Sequence, residues 1–236
     1  MKEELFNPFL SEEVAPANSK LWAAKRRVAD AIRQLNEVLV TSTPPVDELH
    51  DIAEQLEITA GKFSRHPRLY GRFAFTEAGQ GTYGELFHEL NPLSGRSNPI
   101  APPLNMWQDN GVARANVTMG WRFEGPPGSV HGGLVAALFD DFLGMAQMMG
   151  NQPGMTGTLT VKYRRPTPLE TPLEMSAWVD RTDGRKTFVH GQIEAGGAIT
   201  AECECIFIRP KEDMGKLREA VMERNRITAE KSSSKG

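Results

Sequence analysis

The hydrophobic positions of this chain change period about halfway along it. From Lys20 to Val40 the apolar residues Leu21, Val28, Ile32, Leu35 and Leu39 recur at helical spacing, and Ser19 stands where a cap is needed. Lys25, Arg26, Arg27 and Arg33 fall mostly between them and read as a solvated face. Thr43-Pro44-Pro45 breaks this helix, and Val46 to Phe63 repeats the pattern with Leu49, Ile52, Leu56 and Ile58. Two amphipathic helices therefore precede anything strand-like. Residues 1–17, with Pro8, Pro16 and little periodicity, read as a loosely held arm.

An aromatic stretch from Leu69 to Phe75 is followed by Gly79-Gln-Gly81-Thr-Tyr-Gly84, the glycine pattern of a dinucleotide fingerprint. A working fingerprint opens a strand-helix-strand unit. Here Glu85 to Leu90 leads instead into a proline-rich loop, Asn91-Pro-Leu-Ser-Gly-Arg-Ser-Asn-Pro-Ile-Ala-Pro-Pro, so a flexible turn is the better reading. The period then becomes two. Val112 to Phe123 alternates as one half-buried strand, and four more strands are predicted at Met155 to Arg165, Leu173 to Arg181, Lys186 to Glu194 and Ala198 to Ile208. Asp183-Gly184 and Ala195-Gly196-Gly197 supply hairpin turns. Between the first strand and the other four lies Gly132 to Met149, a helix that is apolar nearly all round and so must be buried. By layer logic the antiparallel sheet wraps that helix, which makes the fold class α+β. Lys211 to Ile227 reads as a charged helical tail and Ser232 to Gly236 as a disordered end.

Composition narrows the field only slightly. In 236 residues, 39% hydrophobic and 24% charged is ordinary for a soluble chain, and a net charge of -3 gives no general attraction to nucleic acid. Cys203 and Cys205 sit two apart on one strand face, a poor geometry for bonding each other, and are expected to be reduced and buried. No apolar run approaches membrane-spanning length and the N-terminus has no apolar signal segment, so a cytoplasmic location is expected. His50, His66, His88 and His190 show no ligand spacing, neither His-Glu-x-x-His nor Gly-x-Ser-x-Gly occurs, and no metal site is expected.

The candidate chemistry is concentrated at Glu124-Gly-Pro-Pro-Gly-Ser-Val-His131-Gly132-Gly133. A loop stops at a histidine and a helix begins there, aiming backbone N–H groups and the positive end of the helix dipole at one point. Two turns along the same apolar helix come Asp140 and Asp141. Asp140 shares its stripe with the small residues Gly133, Ala136, Ala137 and Gly144, which leave room for a ligand, whereas Asp141 shares its stripe with Leu134, Leu138, Met145 and Met148. Asp140 is the candidate catalytic acid, and Asp141 is left to cap, pair or face solvent.

His131-Gly132-Gly133, six residues and then Asp140 resembles the motif of the hotdog-fold acyl-CoA thioesterase superfamily. Thr156-Gly-Thr-Leu159-Thr-Val161-Lys-Tyr163-Arg-Arg165-Pro166 looks like that family's strand after the helix, and Gly-Pro-Pro-Gly before the histidine is similar to the branch holding the human mitochondrial members. The resemblance covers about residues 100–210. It implies a hotdog fold, an antiparallel sheet wrapped around one central helix, over 91–210, after an N-terminal arm and helical extension over 1–90 and before a tail over 211–236. It implies a homodimer or dimer of dimers with the acyl-CoA site between subunits, and no cofactor other than coenzyme A as part of the substrate. Asp140 would be nucleophile or general base, Gly132 and Gly133 would hold the thioester oxygen, Thr156 would position water or the carboxylate, and His131 would orient the turn. Some relatives carry asparagine six residues before the histidine, where this chain has Gly125. Arg165, Arg185 and Lys186 are candidates for the coenzyme A phosphates, with a solvated surface as the competing role. Two other functions fit the same fold: a hydratase or dehydratase on acyl thioesters, and a non-catalytic acyl-CoA binding or assembly module.

Overall fold

The structure, a computed structural model, describes residues 19–102, 104–150, 153–211 and 219–227 apart from 221 and 225. The predicted arm over 1–17, the predicted end at 232–236 and most of the predicted tail lie outside the described residues.

Helix α5 (Gly132–Ala146) buries Val135, Leu138, Phe139, Phe142, Leu143, Met145 and Ala146, as its all-round apolar sequence requires. Around it folds a six-stranded antiparallel sheet in the order β1-β2-β4-β5-β6-β3. The strands are β1 (Asn105–Asp109), β2 (Val112–Thr118), β3 (Met155–Tyr163), β4 (Pro172–Asp183), β5 (Lys186–Ala195) and β6 (Ala198–Ile208). Alternate residues such as Ala113, Ala115, Met175, Ala177, Val189, Cys203, Cys205 and Phe207 face the helix and are buried. The helix lies close on the sheet: a methyl group at Gly191 would sit 2.6 Å from Leu143 Cδ1. Each large apolar side chain enclosed here contributes roughly 1.5–3 kcal/mol. Both cysteines are free, and burial pushes their thiols up to about 12, leaving small inert side chains. The hotdog arrangement expected from the sequence is thus present, with β3 forming one edge of the sheet.

Several boundaries differ. The strand predicted to run to Phe123 ends at Thr118, and Trp121–Phe123 forms a 3-10 turn whose Trp121 N–H bonds the Glu37 carboxylate instead of a neighbouring strand. Strand β1 was not anticipated. It pairs with β2 through Asn110 and Gly111, both at positive φ, as a two-residue hairpin of the primed type demands. The central helix gives way after Ala146 to a 3-10 segment, Gln147–Gly150, instead of continuing to Met149.

Among the described residues four helices precede the sheet: α1 (Lys20–Thr41), α2 (Val46–Ser64), α3 (Gly71–Glu77) and α4 (Tyr83–Leu90). Ser19 caps α1 as expected. The glycine-rich stretch is the approach to α4, with Gly79 and Gly81 at positive φ and Thr82 with Glu85 forming a capping box. Contrary to expectation, α1 does not turn its basic face wholly to water. Its docked side carries Trp22, Arg26, Ala29, Arg33 and Glu37, because those side chains meet polar groups that need partners. Trp22 donates to the Gln80 carbonyl at 2.6 Å, Arg33 to the carbonyls of Arg96 and Asn98, and Glu37 accepts from Arg122. Arg26 Nη2 lies 2.6 Å from Glu89 Oε1, whose side chain is fully buried and also accepts from the Ser97 hydroxyl.

Arg26→Ala removes the guanidinium from the buried Glu89 carboxylate, which keeps the Ser97 hydroxyl and the nearby charge of Lys25. A loss of about 3 kcal/mol is expected, measured as a shift in urea midpoint against wild type; an unshifted midpoint would show the pair to be dispensable.

Candidate active site

The loop before α5 is held by its own backbone. Gly125 N–H bonds the Ser129 carbonyl, His131 N–H bonds the Phe123 carbonyl, and the Glu124 carboxylate accepts from Gly128 N–H at 2.8 Å. These bonds deliver His131 to the N-cap, where its Nδ1 accepts from Gly133 N–H at 3.0 Å. The proton of the neutral ring therefore resides on Nε2. The His131 carbonyl takes the N–H groups of Leu134 and Val135, so Gly132 N–H is the donor of this turn with no acceptor among the described residues. Tyr163, at the end of β3, donates to the Gly132 carbonyl at 2.8 Å and lays its ring against Gly132. Gly125 is as tightly confined: a methyl group there would sit 2.6 Å from His131 Cα.

Asp140 emerges from α5 exposed, and the Thr156 hydroxyl donates to its Oδ1 at 2.7 Å. The structure thus brings together Asp140 and Thr156, and separately His131, Gly132 and Gly133. It does not bring the two groups together within one chain. Eight residues of helix separate Gly132 from Asp140, a rise of about 12 Å. A thioester held by an N–H at ~2.9 Å and attacked at ~3–3.5 Å spans only about 7 Å, a gap that the short aspartate side chain does not close. A cavity of about 670 Å³ lies on the outer face of the sheet between Trp107, Arg114, Glu174 and Ser176, with no residue of α5 in its lining.

Asp141 points the other way. Its Oδ1 accepts from Asn91 Nδ2 at 2.7 Å, while Oδ2 and the neighbouring Ser94 hydroxyl are buried without a closed hydrogen bond. Burial pushes this carboxyl above its ordinary value; Ser94 and Asn91 oppose the rise and the Asp140 charge adds to it. Sequence reasoning gave neither Tyr163 nor Asn91 a role at the site. Tyr163 was legible, since period two places it on the same face of β3 as Leu159 and Val161, toward the helix; Asn91 carried no such signal.

The basic candidates are dispersed. Lys186 pairs across with Ile208, which in turn pairs with Met155, so Arg185 and Lys186 sit at the Thr156 end of the sheet. Arg185 donates to the Arg209 carbonyl. Arg165 follows Tyr163 at the opposite end, beside the start of α5, and its backbone N–H bonds the Thr200 carbonyl.

A family model described as the thioesterase superfamily matches residues 127–202. A solved structure described as a thioesterase superfamily protein is 32% identical, with a TM-score of 0.68, covering 82% of this chain and 97% of that one. The chain belongs to the thioesterase superfamily. Acyl-coenzyme A thioesterase THEM4 of Xenopus laevis is 34% identical over 88 residues, 36% of this chain and 40% of that protein. A protein of Candida albicans named as uncharacterized and mitochondrial is 23% identical over 121 residues, 48% of this chain and 54% of that protein. The chain thus spans about half the length of the curated relatives it matches.

Asp141 generates a test by pH. An acid whose pKa is raised on folding binds its proton more tightly in the native state, so its contribution is fullest below the ordinary value of 3.8 and is lost as pH rises toward the native pKa. Asp141→Asn keeps an acceptor for Asn91 and removes that slope. Denaturation midpoints measured from acid to neutral pH should show the variant gaining on wild type as pH rises; parallel curves would contradict a buried, proton-retaining Asp141.

Proposed function

We propose that this chain hydrolyses acyl-CoA thioesters to the free acid and coenzyme A, a reaction of lipid metabolism, in a site assembled by two copies. The hydrogen bond from Thr156 to the exposed Asp140 carries this reading. It spends the one hydroxyl proton of Thr156 on Oδ1 and leaves Oδ2 directed at the substrate or at a water. Asp140 then acts either as nucleophile on the thioester carbon or as the base that takes a proton from attacking water. Negative charge gathers on the carbonyl oxygen, and Gly132 N–H, at the positive end of α5, stabilises it by about 3 kcal/mol on the scale of an oxyanion-hole donor. His131 orients this turn by holding Gly133 N–H, and that second donor joins the first only if the cap bond yields.

The separation of Gly132 from Asp140 along α5 favours a site in which one subunit supplies the donor and the other supplies the carboxylate. Thr156 lies on the edge strand β3, whose open backbone groups suit pairing with a second sheet, and that joint places the two halves face to face. Arg185 and Lys186 from one end and Arg165 from the other are then available to the coenzyme A phosphates. No cofactor enters beyond the coenzyme A of the substrate. No helix among the described residues is long and apolar enough to cross a membrane. The reduced, buried thiols Cys203 and Cys205 accord with a cytoplasmic location, although one relative carries a mitochondrial name.

Thiol release from a panel of acyl-CoAs tests the chemistry. Asp140→Asn should lower turnover by at least about 100-fold without unfolding the protein, and unchanged turnover, or hydration of an enoyl-CoA without thiol release, would sink the assignment. The shared site has its own test. Gly132→Pro deletes one N–H at a helix position that accepts proline, after a residue already extended at φ -57 and ψ 130. Mixing this inactive variant with Asp140→Asn should restore roughly a quarter of wild-type activity through mixed dimers. A site contained in one chain would stay silent.

A further inference from the structure

The two longest helices leave apolar seams uncovered. On α1, Leu21, Val28 and Leu35 recur every seven residues with Ile32 and Leu39 beside them, and Leu21 and Val28 are 42% and 41% exposed. On α2, Leu49, Leu56 and Phe63 recur at the same interval with Ile52 beside them, and Leu56 and Phe63 are 46% and 61% exposed. Seven-residue spacing is the periodicity by which one helix packs along another. Yet α1 docks on the body by a different side, through Trp22, Ala29, Arg26 and Arg33, and α2 buries no residue at all. The helices share no extended contact across the Ser42–Pro45 connection, and α2 packs extensively on no other described element.

Charge says which helix fits which. Helix α1 carries Lys20, Lys25, Arg26, Arg27 and Arg33 against Asp30 and Glu37, and by helical phase the exposed Lys20 and Arg27 flank its seam. Helix α2 carries Asp47, Glu48, Asp51, Glu54 and Glu57 against Lys62, and Glu48 and Glu57 flank its seam together with Lys62. Pairing α1 with α1, or α2 with α2, sets like charges side by side, whereas α1 with α2 matches both apolar seam and charge.

We propose that the α2 seam of one copy seats on the α1 seam of a second copy, and reciprocally, so that two chains clasp each other through their N-terminal helices. The partner is this chain itself, recognised by an acidic amphipathic helix meeting a basic one. A reciprocal exchange closes as a two-fold dimer and leaves neither seam open. The clasp is independent of thioester chemistry and forms or fails whatever the turnover.

Site-directed cross-linking tests it in the full chain, because the native thiols Cys203 and Cys205 are only 2% and 1% exposed and do not compete. Leu35→Cys and Leu56→Cys, each at the middle of its seam, are prepared separately, mixed to allow exchange and treated with a short bifunctional maleimide. A product of twice the chain mass containing one copy of each variant is expected, together with the same mass from the double variant. Adding Leu49→Asp and Ile52→Asp to the Leu56→Cys chain should reduce that product roughly tenfold or more, on the scale of losing two buried apolar side chains; α2 buries nothing in its own chain, so these changes do not threaten the fold. A double variant that links at single-chain mass would mean that α2 folds back on its own α1. That result overturns the proposal, as does the absence of any product from the mixture.

Discussion

A helix that is apolar on nearly every side has to be enclosed, and a single six-stranded sheet cannot reach all the way round it. Helix α5 meets the sheet closely at Leu143 and Gly191, and the partly buried Phe87 and Leu93 of the preceding segment pack against the same core. What stays open is the strip where Asp140 emerges beside the edge strand. The position of the carboxylate thus follows from the packing problem: a charge on a buried helix can survive only where the enclosure is incomplete. The same geometry separates Asp140 from the helix start, so completing the enclosure and completing the chemistry are one event in the proposed dimer.

The segment before the sheet is fastened by polar contacts set into apolar surroundings. Arg26 on Glu89 and Asn91 on Asp141 tie α1, α4 and the following loop to one another and to the central helix. Each such contact adds little to stability when intact and a great deal to the cost of moving away, because separation strands a buried carboxyl group. Asp141 and Asp140 are neighbours in sequence with opposite surroundings: one is held dry by the extension, the other faces outward toward Thr156. Two acids on adjacent residues are thereby given different roles by the direction in which each points.

The period-two and period-3.6 patterns located the central helix and five of the six strands, because alternation survives wherever one face is buried. Strand β1 escaped because its five residues lie behind a proline-rich loop and only Asn110-Gly111 advertises the hairpin. On α1 the apolar periodicity was real, but it marked a face that the chain itself leaves open, while the docked face is built from Trp22 and arginines. Periodicity identifies a helix; it does not say which side is taken first. The hydrogen bond from Thr156 to Asp140 joins two residues that the motif singled out, whereas the capture of Gly133 N–H by His131 depends on a side-chain rotamer that no spacing encodes. The likeness to a solved thioesterase superfamily protein over 82% of the chain also extends past the sheet domain into the helical extension, beyond the stretch that carries the motif.

Gly125 places a limit on how this loop can change. Because a first side-chain carbon there would collide with the His131 backbone, any side chain at that position requires the path into His131 to move with it. A substitution at Gly125 alone would therefore carry a displaced cap and a misaimed donor. An engineer wishing to place a side chain at this bend must therefore rebuild the loop from Glu124 onward.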